Sequence, residues 1–244
     1  MKYDLVIPLA SQGSAWSNNN ELRYCLRSFE ANFPIGDVFI VSDQLPDWIT
    51  NVQLIKMKDS FAHNKDANII RKILAASLEL PGNTFYWSCD DHVVLRKPVK
   101  KELVPLYSSD ISNYPSTFFK GKWRGALKNT RDFLDSNKFP TLNYDIHTPQ
   151  PVNADEFIHL LKDFPLKEHF RFTINSLYHN MAAWTKTSHI GMLKATIENP
   201  ISDYSDIKRA IKNRLYLGYN NNGLTPELRK IIIELFPAKS AFEL

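Results

Sequence analysis

The first 100 residues switch repeatedly between two hydrophobic periods, and this alternation constrains the fold more than any other feature of the chain. Tyr3 to Leu9 (YDLVIPL) is a short, nearly continuous apolar run, the pattern of a strand buried on both faces. After the polar stretch "ASQGSAWSNNN", Leu22, Cys25, Leu26, Phe29 and Phe33 recur at helical spacing, with Asn19 or Asn20 as N-cap and Pro34 as the stop. Asp37 to Ser42 (DVFIVS) reads as a second strand and Val52 to Met57 as a weaker third. Ile69, Ile70, Ile73, Leu74 and Leu78 mark an amphipathic helix; "PGN" turns the chain, and Thr84 to Cys89 reads as a strand. The order β, α, β, β, α, β predicts an α/β fold with a mainly parallel sheet and helices on both faces. Ligands of such sheets bind beyond the carboxyl ends of the strands. Pro8-Leu9-Ala10 and Asp90-Asp91-His92 lie at two such ends.

The second half predicts a helical, loop-rich region. Tyr107 to Tyr144 reads as loop-rich and carries "FFKGKWRGALKNTR". Asn153 and Glu156 have capping-box spacing ahead of Phe157, Leu160, Leu161 and Phe164, which predicts a helix over 153–164. A further helix is expected over 172–180, and a last one opens at Thr225-Pro226 and closes at Pro237. No repeat, low-complexity segment or linker divides the chain, so one domain over 1–244 is expected.

Composition limits the class. A 43% hydrophobic, 23% charged chain is an ordinary globular protein, and the net charge of +4 permits an anionic partner without demanding one. Cys25 and Cys89 form no CxxC pair, so no zinc or redox motif of that kind is present. The sequence shows no signal peptide, membrane anchor or apolar run of spanning length, and the expectation is a cytoplasmic protein.

Four groups of residues carry possible chemistry. If the strand stays extended, Asp90 and His92 share a face and Asp91 points away; Asp90 and His92 could then hold Mn²⁺ or Mg²⁺ against the phosphates of a nucleotide. The plainer reading is a solvated strand end. Asp145 and His147 also share a face in extended chain, as a carboxylate orienting a general base; the alternative is a polar loop. Lys120, Lys122, Arg124, Lys128 and Arg131 interleave with Phe118, Phe119 and Trp123, suiting a phosphate backbone or stacked rings, or else a solvated surface. Arg23 and Arg27 could meet phosphates beside a helix N-terminus, or be surface arginines.

The blocks "NNNELRYCLRSFEANFP…DVFIVSDQLPDWI", "FYWSCDDHVVLRKPV", "DIHTPQPV" and "LFPAKSAFE", in that order, resemble the Stealth family of hexose-1-phosphate transferases. That family includes capsular polysaccharide phosphotransferases and the eukaryotic N-acetylglucosamine-1-phosphotransferase. The chain is also similar to GT-A nucleotide-sugar glycosyltransferases, whose acidic D-x-D or D-x-H motif Asp90-Asp91-His92 matches. The resemblance implies a GT-A-like fold, with residues 1–100 as the nucleotide-sugar half and 101–244 as the acceptor half. It implies that Pro8, Leu9 and Ala10 border the nucleotide, Arg23 and Asp90 approach the donor, and Asp90 and His92 hold the metal. Asp91, Asp145 and His147 are then the catalytic candidates, and Lys120, Lys122, Trp123 and Arg124 bind the acceptor. Where Stealth proteins carry an acidic block after the first strand, this chain reads "IPLASQGSAW", with no carboxylate. That departure favours glycosyl transfer from a UDP-sugar over sugar-phosphate transfer releasing UMP. A saccharide or hydroxymethylated phage-type DNA is the expected acceptor; a non-catalytic sugar-binding module is the remaining alternative.

Overall fold

The computed structural model describes residues 2–10 and 14–244; Ser11, Gln12 and Gly13 of the "ASQGSAW" block lie outside the described residues. The opening alternation forms as the sequence predicts: β1 (Tyr3–Pro8), α1 (Asn20–Asn32), β2 (Ile35–Ser42), β3 (Gln53–Lys56), α2 (Lys65–Glu79) and β4 (Thr84–Trp87). Asn64 caps α2 by accepting a hydrogen bond from the Ala67 amide at 3.1 Å. Asn19 holds the N-cap position of α1 in a left-handed conformation, and its side chain makes no capping bond.

A short strand follows, β5 (Val93–Val94), then β6 (Leu106–Tyr107), α3 (Lys122–Ser136), β7 (Gln150–Asn153), α4 (Ala154–Leu161) and α5 (Ile174–Met181). The chain ends with β8 (Ser188–His189), β9 (Lys194–Ile197), α6 (Tyr204–Ile211), β10 (Tyr216–Tyr219) and α7 (Pro226–Leu235). Asn153 accepts from the Glu156 amide at 2.9 Å, and Thr225 with Pro226 starts α7, both as the sequence predicts. The basic stretch read as loop is instead the start of α3. Only Ala126, Leu127, Thr130 and Leu134 of that helix are buried, a narrow stripe that includes the polar Thr130.

The central sheet has the order β3-β2-β1-β4-β7. All its pairings are parallel except β4 with β7. Strand alternation sends Leu5 and Ile7 to one face, against Leu22, Leu26 and Phe29 of α1. It sends Val6 to the other, with Ile70 and Ile73 of α2, Phe157 of α4 and Leu177 of α5. A second sheet, β5-β10-β9, packs its own core against α6 and α7 through Ile207, Leu228, Ile231 and Ile232. Ser28 and Asn32 of α1 tie β5 in place: the Ser28 hydroxyl accepts from the Val94 amide at 3.0 Å, and the Asn32 amide donates to the Val94 carbonyl at 2.8 Å. The second sheet is thereby held next to the end of β4. No helix among the described residues is long and apolar enough to cross a membrane.

Candidate functional site

A cleft of about 730 Å³ opens beyond the carboxyl ends of β1 and β4. Pro8 and Ala10 line it from β1, and Asp90, Asp91 and His92 from the segment after β4. Leu9 does not line it; that residue is buried, and its carbonyl accepts from the buried Lys72 ammonium at 2.6 Å. Lys72 also pairs with Asp59 at 2.6 Å, so this buried cation is matched by a carboxylate.

The strand does not stay extended through the acidic pair. It ends at Trp87, and the Cys89 carbonyl accepts from the His92 amide at 3.4 Å, closing a turn with Asp90 and Asp91 at its centre. The expected face-sharing of Asp90 with His92 therefore fails. A turn reverses direction, and it is Asp91 that comes beside His92. The donor atoms of Cys89, Asp91, His92 and His147 lie within 4.8 Å of one another. His147 Nε2 is 3.3 Å from Asp91 Oδ1, and its ring stands edge-on to that of His92 with centroids 4.5 Å apart.

The expected Asp145–His147 pairing also gives way. His147 has φ of 55°, in the left-handed region, so the two side chains diverge. Asp145 instead accepts from the Asn175 amide at 3.0 Å and the Ser176 amide at 2.8 Å, satisfying two orphan donors at the start of α5.

Two residues that the sequence did not single out complete the site. Lys194 of β9 lines the cleft and donates to the Ile146 carbonyl at 2.6 Å. Gly218 of β10 faces both cleft residues: a Cβ there would lie 2.8 Å from Lys194 Cε and 3.0 Å from His147 Nδ1. The "YLGY" stretch carries a sequence signal for this, since a glycine inside an apolar strand marks a close approach.

The electrostatics separate the two neighbouring acids. Burial, then the charges of Asp91 and Glu21, push the Asp90 carboxyl up to about 7. Burial also acts on Asp91, but the hydrogen bond and charge of His147, with the charge of His92, outweigh it and hold that carboxyl below its ordinary value. Burial, then the charge of His147, pull the His92 imidazole well below its usual range. Burial lowers the Lys194 ammonium to about 8.

The other predicted site residues are dispersed. Arg23 does not line the cleft: its guanidinium meets Glu243 at 3.1 Å and covers the Trp48 ring. Trp123, half-exposed on the first turn of α3, does line it. Lys120, Lys122 and Arg124 do not; Arg124 lies over the Phe118 ring, and Lys122 borders a separate shallow depression with His63 and Arg171. Lys128 and Arg131 pair with Asp132, which neutralises part of the basic cluster.

The residues fit a divalent cation on a direct observation. His92 Nε2 is buried without a hydrogen-bond partner and belongs to the converging set, in which Asp91 Oδ1 meets His147 Nε2 at 3.3 Å. Unpartnered buried donor atoms are costly and call for an explanation. Asp90 lies outside that set, contrary to the expected Asp90–His92 ligand pair.

No family model matches the chain, and no curated protein matches it. Among solved structures, the chain is similar to the crystal structure of mouse xyloside xylosyltransferase 1 in its apo form. The TM-score is 0.46 at 11% sequence identity, covering 92% of this chain and 100% of that one.

Proposed function

We propose that the protein is a metal-assisted glycosyltransferase moving a sugar from a nucleotide sugar, a UDP-sugar in our reading, to a saccharide hydroxyl. The observation that carries this is the convergence of Asp91, His92 and His147 in a cleft beyond the carboxyl ends of two parallel strands. A divalent cation held there would neutralise charge on the departing diphosphate. Lys194, in the same cleft, adds a fixed cation toward that leaving group. Asp90 lines the cleft outside the ligand set, and its raised carboxyl suits a general base. In this reading Asp90 takes the acceptor hydroxyl proton as the new bond to the anomeric carbon forms and the bond to the diphosphate breaks. Trp123 provides an aromatic face for the acceptor sugar. Residues 1–100 then carry most of the donor side and 101–244 the acceptor side of one unit, with His147 and Lys194 reaching back across.

The test is donor binding followed by thermal shift, over a panel of nucleotide sugars with and without a divalent cation. The expected result is stabilisation by a UDP-sugar that increases with the cation and loses that increase in Asp91→Asn. Equal stabilisation with and without cation, in both proteins, contradicts it.

A further inference from the structure

The donor set beside the turn differs from the all-oxygen surroundings that Mg²⁺ takes, and from the Asp–His pair that the sequence suggested for Mn²⁺. It brings together a thiol, two imidazoles and one carboxylate, from Cys89, His92, His147 and Asp91. We propose that these four side chains form a zinc-class site with Cys89 as a thiolate ligand. The inference rests on the metal-binding part of the reading above and is independent of the transfer reaction.

Three features of the site carry it. Zinc bonds to nitrogen and sulfur of roughly 2.0–2.3 Å give a tetrahedron with edges of about 3.3–3.8 Å. The four donor atoms already lie within 4.8 Å of one another, so small side-chain rotations close the set. His92 is 2% exposed, and its Nε2 has no hydrogen-bond partner. The other nitrogen of His92, Nδ1, lies 3.0 Å from the Ser88 hydroxyl, which donates onward to the Cys89 carbonyl at 3.0 Å. Metal binding at Nε2 would place the imidazole proton on Nδ1, where the Ser88 hydroxyl can accept it in place of the Cys89 amide contact, and an outer hydrogen bond of that kind orients a ligating histidine. In the structure the Cys89 amide donates to Nδ1 at 3.3 Å, so Nδ1 is held by two neighbours and Nε2 is the nitrogen left toward the other ligands.

As the sulfur–metal bond forms, the Cys89 proton leaves to solvent.

Affinity ranking cannot test this, because almost any such site prefers zinc to manganese. Cobalt substitution can. Metal-free full-length protein is titrated with Co²⁺ and its absorption recorded, alongside Cys89→Ser, His147→Ala and Cys25→Ala, with circular dichroism confirming that each is folded. The expected result is strong tetrahedral d–d absorption with a thiolate-to-cobalt charge-transfer band, stoichiometric with protein. The band disappears in Cys89→Ser and persists in Cys25→Ala, while His147→Ala weakens Co²⁺ binding at least tenfold. Weak, octahedral-type absorption without a charge-transfer band, or a spectrum indifferent to Cys89→Ser, overturns the inference. Zinc binding without sugar transfer would refute only the proposed function, and manganese-supported transfer without thiolate ligation would refute only this inference.

Discussion

The imidazoles of His92 and His147 meet edge to face, with ring centroids 4.5 Å apart and planes 82° from parallel. One reaches this point from the turn after β4 and the other from a left-handed residue ahead of β7. Between them stands Asp91, 3.3 Å from His147. The site is therefore assembled across the antiparallel edge of an otherwise parallel sheet.

Gly218 keeps that assembly in register. Gly218→Ala would press a methyl group against Lys194 and His147, at 2.8 and 3.0 Å. Lys194 is flexible and can yield, so the overpacking is expected to cost about 1–2 kcal/mol of stability. Because His147 and Lys194 must both shift, donor turnover should fall more than tenfold. Unfolding curves and initial rates measured on the same preparation check both parts; full activity with normal stability would contradict this role for Gly218.

Asp90 ties stability to pH. Its carboxyl is raised from 3.8 to about 7, chiefly by burial. The native state therefore holds a proton between those values that the unfolded state has released. The stability from this group is complete below about pH 4 and is lost as pH climbs through 7. In EDTA-treated protein, the melting temperature should fall from pH 5 to pH 8, and Asp90→Asn should flatten that fall. Parallel profiles for the two proteins would show that Asp90 is ionised throughout.

Glu243 works in the opposite sense at the other end of the chain. Arg27 donates to both its oxygens, at 2.6 and 2.8 Å, and Arg23 adds a third contact at 3.1 Å. Burial alone would raise this carboxyl, but the Arg27 hydrogen bonds, the Ser240 amide and the two arginine charges hold it down to about 2. Its contribution is thus present above its ordinary value of 4.5 and lost as pH falls toward 2. Glu243→Gln should cost about 3 kcal/mol at neutral pH, by leaving two arginines unmatched. Chemical denaturation at pH 7 and pH 3 measures it: the gap between variant and parent should narrow at the lower pH.

Trp123 is 43% exposed, so removing it should not disturb the fold. Covering the apolar face of a sugar with this ring is expected to contribute on the order of 1 kcal/mol, within the range of about 0.5–1.5 kcal/mol seen for aromatic ring pairs. Trp123→Ala should raise the acceptor KM about fivefold, with kcat and melting temperature nearly unchanged. An unaltered acceptor KM would remove Trp123 from the site.

Local signals in the sequence read well where the physics is local. Apolar runs announced β1 and β2, helical spacing announced α1 and α2, and caps at Asn153 and Thr225 fixed where α4 and α7 begin. Strand-end logic also located the cleft, because Pro8 and Asp90 both line it. Beyond that, the contacts are long-range. Asp91 meets His147, and Arg27 meets Glu243, through the fold alone, and no spacing rule reports such pairs. The Asp90–His92 alternation failed because it assumed a strand where the chain turns. Helix α3 escaped because its buried stripe is narrow and its first turn combines Gly125 with the basic Lys122 and Arg124. Lys194 carried no signal at all; its importance comes from β9 pairing with β10 beside the cleft.

The central claim is sugar transfer with departure of an intact diphosphate, and the nucleotide product tests it most directly. Protein, a divalent cation and a panel of nucleotide sugars are incubated with saccharide acceptors, and with water as the default acceptor, and the released nucleotide is identified. The account predicts a nucleoside diphosphate, UDP from the preferred donor, with release dependent on the cation and abolished in Asp91→Asn. Release of UMP would contradict it in favour of sugar-phosphate transfer, and folded protein that binds a donor but releases no nucleotide would contradict it in favour of a binding module.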